Sequence, residues 1–191
     1  HIFSLVETAH TFNGKVPVYL WVIDESKRDR IRELLPEWIT LSGSEHLTDD
    51  DFLDIQKVPR GAIIVAEELT KVVNSKNRRA GPEQAETAYQ IATLRHRQQI
   101  IYGDIQNTAL LDKDWLRMGV ALHIKPMNPL SALFEREELA PYIRRANYEF
   151  KKYNRYDKRS LVCILNDVGV AVARSRLPSF WSDDLSRLWG A

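Results

Sequence analysis

The sequence predicts an α/β fold: a mainly parallel sheet flanked by helices, followed by a C-terminal helix, hairpin and aromatic tail. Three observations support this. The runs Val16 to Ile23, Gly61 to Ala66 and Ile100 to Ile105 are short and mostly apolar, as in strands buried on both faces. Segments with helical spacing lie between them, as the crossovers of a parallel sheet require. Two of the runs end on polar groups, Glu67-Glu68 and Gln106, and a parallel sheet presents its chemistry at that C-terminal edge.

Each element has a local cause. Ile2, Leu5, Val6 and Ala9 recur at helical spacing, and Asn13-Gly14 then ends the helix. Val16 to Ile23 forms the first strand, with Asp24 as its polar terminus. Ser26 to Leu35 alternates charges around Ile31, Leu34 and Leu35, giving an exposed amphipathic helix closed by Pro36. Trp38 to Leu41 is a short strand. Thr48-Asp49-Asp50-Asp51 caps a short helix carrying Phe52, Leu53 and Ile55, and Pro59-Arg60-Gly61 turns the chain into the Ile63 strand. Residues 73–82 are a polar loop and 83–97 a helix rich in alanine. Leu110 to Met118 reads as a short helix, and Val120 to Ile124 as a further strand alternating with the helices.

The last third differs in character. Glu135 to Tyr153 is a charged, aromatic helix, and Leu161 to Leu165 and Val168 to Ala173 flank the turn residues Asn166-Asp167. Phe180, Trp181, Leu185 and Trp189 close the chain. The expected division is a core over residues 1–128 and an extension over 129–191, packed on the core or on a neighbouring subunit.

Composition narrows the function classes. At 191 residues and 44% hydrophobic, the chain buries a proper core. A net charge of +1 gives it no overall signature of a nucleic-acid or membrane binder, so any basic surface is local. The single cysteine, Cys163, forms no internal disulfide and suits a reducing compartment. No apolar run approaches the ~20 residues needed to cross a bilayer, which reads as a soluble chain. The sequence starts at His1 within a helical pattern, so a truncated or processed N-terminus is expected. The five histidines make no zinc spacing, and no serine lies in a nucleophile elbow.

Hydrolysis of a phosphoanhydride needs phosphate charge neutralised, magnesium held and a water aligned with the terminal phosphate. Glu67 in the metal shell and Glu68 orienting or deprotonating that water would divide two of these tasks. The bland alternative is a helix start, where acids are favourable. Gln106 has an amide able to donate to phosphate and accept from water, or else it is a satisfied turn residue. Arg97 ends its helix, where a cation complements the dipole; in a ring it would reach a neighbour's nucleotide. Arg78 and Arg79 fit phosphate contact but better fit a solvated loop. Lys151 and Lys152 belong to the one concentrated basic and aromatic stretch, equally a nucleic-acid grip or a solvated helix.

Taken together, these parts resemble the ATPase core of the FtsK/HerA superfamily, the circle of viral genome-packaging ATPases and Zot-like phage proteins. The parts are Gly61 to Glu68, the polar loop, the helix ending Leu94-Arg95-His96-Arg97, and Ile100 to Gln106 followed by Leu110, Leu111 and Asp112. The resemblance covers about residues 1–125 and lies in the order and spacing of parts. It implies a RecA-like P-loop NTPase core, with Glu67-Glu68 as the Walker B element and Gln106 as the sensor. It further implies ATP and Mg2+ as cofactors, DNA as partner, and a homo-oligomeric ring such as a hexamer. The setting would be cytoplasmic, or virion-associated if viral. Two departures stand out: Glu67 replaces the usual aspartate, and no Gly-x-x-x-x-Gly-Lys-[Ser/Thr] loop occurs. That loop is expected upstream of His1. The competing expectations are a non-hydrolytic assembly or binding module that keeps the sheet, and an unrelated Rossmann-like enzyme or nuclease.

Overall fold

The computed structural model describes residues 1–13, 16–22, 24–46, 54–67, 92–105, 108–110, 119, 121–128, 132, 135–153 and 156–190. The expected capped helix at Thr48 to Asp51, the polar loop, most of the 83–97 helix and the 111–118 segment fall outside them. The first part runs α1 (Ile2–Asn13), β1 (Val18–Trp21), α2 (Glu25–Leu34), β2 (Ile39–Leu41), β3 (Ile63–Ala66), helical residues 92–96 as α3, and β4 (Ile100–Gly103). The four strands form one parallel sheet in the order β2-β1-β3-β4, and the parallel pairing is as the sequence predicts.

Register explains the layering. Val18 pairs with both Ile39 and Ile63, and Leu20 with both Leu41 and Val65. These side chains therefore share one face, since residues two apart point the same way. That face packs against Phe3 and Val6 of α1 and Ile31 of α2. On the other face, Ile64 and Ala66 are fully buried and Tyr19 meets the ring of His46 edge-on. All four residues of β3 are buried. Burying its Ile and Val side chains contributes about 1.5–3 kcal/mol each, before the entropy of ordering them.

Helix ends follow their local chemistry. Asp24 caps α2, its carboxylate accepting from the Ser26 N–H at 3.0 Å and the Ser26 hydroxyl at 2.6 Å. α3 ends in a Schellman arrangement: the Gln98 N–H donates to Arg95 O and the Gln99 N–H to Leu94 O. Gln98 therefore sits at φ 56°, a left-handed position that glycine fills most easily. Gly61, at φ 74°, supplies the same freedom where the turn feeds β3, and its N–H donates to Arg97 O at 3.0 Å.

The second part is a three-stranded antiparallel sheet, ordered β5-β6-β7, of β5 (Ala121–Ile124), β6 (Leu161–Asn166) and β7 (Val170–Arg174). α4 (Ala140–Lys151) lays Ala146 and Phe150 on Leu161, Cys163 and Leu165 of β6. β5 corrects the sequence reading, which set it among the parallel strands: it pairs antiparallel with β6, Ala121 opposite Asn166. A four-residue apolar run carries no signal of its partner's direction. The hairpin is as expected, with the Asn166 side chain accepting from the N–H groups of Val168 and Gly169.

The aromatic tail returns to the first sheet's helices. Phe3 of α1 meets Trp181, Phe180 and Trp189 at ring separations of 5.4, 6.2 and 5.3 Å. Leu188 of α5 (Asp183–Gly190) joins the core that α1 and α2 share with the sheet. The tail thus covers its own chain's helical layer. No helix among the described residues is long and apolar enough to cross a membrane.

Two stability measurements check this account. Ile64→Ala is expected to lower the unfolding free energy in urea by about 2–5 kcal/mol. Gln98→Gly is expected to raise it by about 0.5–1 kcal/mol, since the left-handed position costs a non-glycine residue more than glycine's extra unfolded-state freedom does.

Candidate functional site

The C-terminal ends of β1, β3 and β4 are flush, because Trp21 pairs with Ala66 and Ala66 with Gly103. The ladder continues one step past the strands: the Glu67 N–H donates to Trp21 O at 3.1 Å and the Asp104 N–H to Ala66 O at 3.0 Å. Val22, Glu67 and Asp104 therefore stand in a row, roughly one strand spacing, about 4.8 Å, apart. Glu67 is 7% exposed and Asp104 is exposed, which sets a shielded and a wet carboxylate side by side. Ser42, at the tip of β2, is fully buried, and its hydroxyl has no hydrogen-bond partner among the described residues.

α1 begins at this same edge. The His1 imidazole lies 3.0 Å, Nε2 to Nδ1, from His123 of β5, and the His123 ring meets Tyr102 of β4 at 6.2 Å. Such a contact needs one ring nitrogen to donate and the other to accept, so the pair cannot be doubly protonated without breaking it. Burial pushes the His123 pKa down. Burial likewise lowers the pKa of the adjacent Lys125.

The segment after β4 is held from the second part of the chain. Glu135 accepts from the Thr108 N–H at 3.0 Å and, by a shorter contact, from its hydroxyl. Arg136 returns two bonds, Nε to Thr108 O at 2.6 Å and its own N–H to Thr108 Oγ1 at 3.3 Å. Thr108 lies five residues beyond the end of β4, so this clamp holds the chain soon after it leaves the sheet.

Of the residues singled out from the sequence, Glu67 is at this edge. Glu68, Gln106, Arg78 and Arg79 lie outside the described residues. Arg97 stands at the end of α3, as the sequence reading has it. It precedes β4 and so stands at the N-terminal end of the strands, a four-residue strand length of about 13 Å from the acids. Its guanidinium is occupied within its own chain, donating to Val58 O at 2.7 Å, Gln56 O at 3.1 Å and Gln99 Oε1 at 3.2 Å. A finger role requires releasing those bonds, and the geometry makes Arg97 an anchor for the turn entering β3. Lys151 and Lys152 lie at the end of α4, on the second sheet rather than at the strand tips.

The sequence reading passed over several of the residues that matter here. Asp104 carries the signal that found Glu67, an acid directly after an apolar run. Gln99, 6% exposed, directs its amide nitrogen at the carbonyls of Ile55, Val58 and Pro59, and only burial distinguishes it from an ordinary turn glutamine. Glu135, Arg136 and His123 act across long stretches of chain and carry no local signal. Among the described residues no group of three His, Cys, Asp or Glu side chains could hold a metal ion.

Comparison with known proteins bears on the fold. No family model and no curated protein match the chain. Among solved structures, the genome packaging NTPase B204 from Sulfolobus turreted icosahedral virus 2 in complex with sulfate superimposes with a TM-score of 0.55 at 12% identity, covering 93% of this chain and 88% of that one. The same NTPase in complex with ATP-gammaS gives 0.51 at 11%, covering 93% and 89%. B204, the DNA-packaging ATPase from Sulfolobus Turreted Icosahedral Virus, gives 0.54 at 11%, with the same coverage. The chain thus has the α/β fold of these NTPase structures, and at such identities the likeness shows the fold alone.

The histidine contact predicts a pH dependence of stability. With the His123 pKa depressed in the folded state, its contribution is fully present above the ordinary imidazole value of 6.5 and is lost as pH falls below it. Urea unfolding at about pH 7.5 and 5.5 is expected to show lower stability in acid, with a flatter profile for His123→Phe.

Proposed function

We propose that the chain is the motor domain of an ATP-driven nucleic-acid translocase, of the genome-packaging or DNA-export kind. It works with Mg2+ in a homo-oligomeric ring, in the cytoplasm or, if viral, with the virion. The observation that carries this is the row of acids at the strand tips, where shielded Glu67, followed in sequence by Glu68, is flush with the β4 tip that leads to Gln106. Support comes also from the fold shared with packaging NTPases.

Magnesium takes one or two carboxylates, keeps several waters and completes its shell with phosphate oxygens, so the acid row fits its donor chemistry without a full protein cage. In this reading Glu67 holds the ion, Glu68 orients and deprotonates the attacking water, and Gln106 contacts the terminal phosphate. A phosphate-cradling loop is not among these residues. Two features suit a loop entering from upstream of His1. α1 starts at the acid edge, beside β4, where its free N–H groups would meet phosphate. The outer edge of β4 carries no paired strand among the described residues, and Ile100 there is 51% exposed. Arg97, tied to its own chain, is a poor trans-acting finger in this assembly.

In the full-length protein, Glu68→Gln is expected to lower steady-state phosphate release by at least about 100-fold while nucleotide binding stays within about threefold. Turnover left unchanged would remove Glu68 from its role. Absence of nucleotide binding by the full-length protein would favour the non-hydrolytic assembly module instead.

A further inference from the structure

Charge is segregated along this nearly neutral chain. Residues 140–176 hold nine Lys and Arg against three Asp and Glu. That segment carries +6, and since the whole chain is +1 the remainder carries −5. α4 buries Ile143, Ala146 and Phe150, and turns Arg144, Arg145, Tyr148 and Lys151 outward, with Lys152 exposed at its C-cap.

That outward face is built. Glu149, almost buried, accepts from Lys152 at 2.6 Å and pairs with Arg145 at 2.9 Å. The Lys152 hydrogen bond holds the Glu149 carboxyl below its usual pKa range, aided by the charges of both cations. Lys152 and Arg145 also rest over the Tyr148 ring, 4.9 and 5.9 Å from its centroid. Two long side chains are thus ordered before any ligand arrives, which reduces the entropy lost on binding. Arg144 and Lys151 are exposed on the same side and have no acidic partner among the described residues. Beside α4, Arg174 of β7 lies 5.5 Å over the ring of Tyr156, extending the cation and aromatic pattern onto the sheet edge.

We propose that this face, α4 from Arg144 to Lys152 with Tyr156 and Arg174, is the surface on which the protein docks the phosphodiester backbone of nucleic acid. The proposal rests on the motor reading for its choice of partner, and it places that partner on the second sheet rather than at the strand tips. A polyanion meets the local charge, and exposed tyrosines beside cations accept base faces where strands are open. An anionic membrane is the poorer fit. The apolar stripe of α4 is spent on β6, and the large apolar groups exposed on this face are tyrosines, so the face itself offers no aliphatic side chain to insert among acyl chains.

Fluorescence anisotropy of the full chain with a labelled single strand and the matching duplex, at low salt without nucleotide, tests this. Arg144→Glu with Lys151→Glu is expected to weaken binding to the preferred form by about tenfold or more, whereas Arg30→Glu with Arg60→Glu, an equal charge change elsewhere, alters it less than about twofold. The neutral pair Arg144→Gln with Lys151→Gln guards against misfolding, and should reduce the slope of log affinity against log salt by about 1.5. Equal loss in both reversal pairs, no nucleic-acid binding, or binding only to phosphatidylserine vesicles overturns the proposal. ATP turnover measured in parallel separates the two readings. Turnover with nucleic-acid binding indifferent to α4 keeps the motor and discards this surface, and binding through α4 without turnover does the reverse.

Discussion

The structure depends most on the parallel ladder joining β1, β3 and β4 in one flush register. β3 has neighbours on both sides and all four of its residues are buried, so its register is fixed by packing above and below as well as by its hydrogen bonds. A slip of one residue would turn Ile63 and Val65 away from α1 and α2 and bring the carboxylate of Glu67 into the sheet. The acid edge is therefore a by-product of core packing: the hydrophobic pattern sets the register, and the register sets Glu67 beside Asp104.

The other end of the strands is anchored by different means. Gln98 accepts an unfavourable left-handed backbone so that α3 can stop, and the two residues around it then point at the carbonyls of the turn before β3. Arg97 and Gln99 together satisfy backbone groups that burial would otherwise leave unpaired. Arg97, which from sequence is a cation at a helix end, is a fastening between α3 and the entry to β3.

Among the described residues the second part meets the first through the rings of His1, Tyr102 and His123, the clamp of Glu135 and Arg136 on Thr108, the contact of Ser179 with Glu7 of α1, and the aromatic tail's packing on Phe3. The clamp leads directly into α4, so the helix with the basic face begins a few residues from the segment that leaves the acid edge. The clamp's hydrogen bonds thereby bring the start of α4 near the segment that follows β4.

Much of the first sheet was legible because runs rich in Val, Ile and Leu and the spacing of α1 and α2 are local signals. So was the hairpin, through Asn166-Asp167, and so was the strand end that carries Glu67. The partners of β5 were not, since four residues carry no record of direction, and neither was the fate of the aromatic tail, which Phe3 decides from the far end of the chain. Lys151 and Lys152 could be named from sequence, but only packing on β6 shows which side of α4 is free, and only Glu149 and Tyr148 show that the cations there are ordered. The sequence by itself determined the class of fold and which residues have the chemistry to act. Tertiary structure decided which of them meet, because register, burial and the pairing of distant backbone groups depend on segments far apart in the chain.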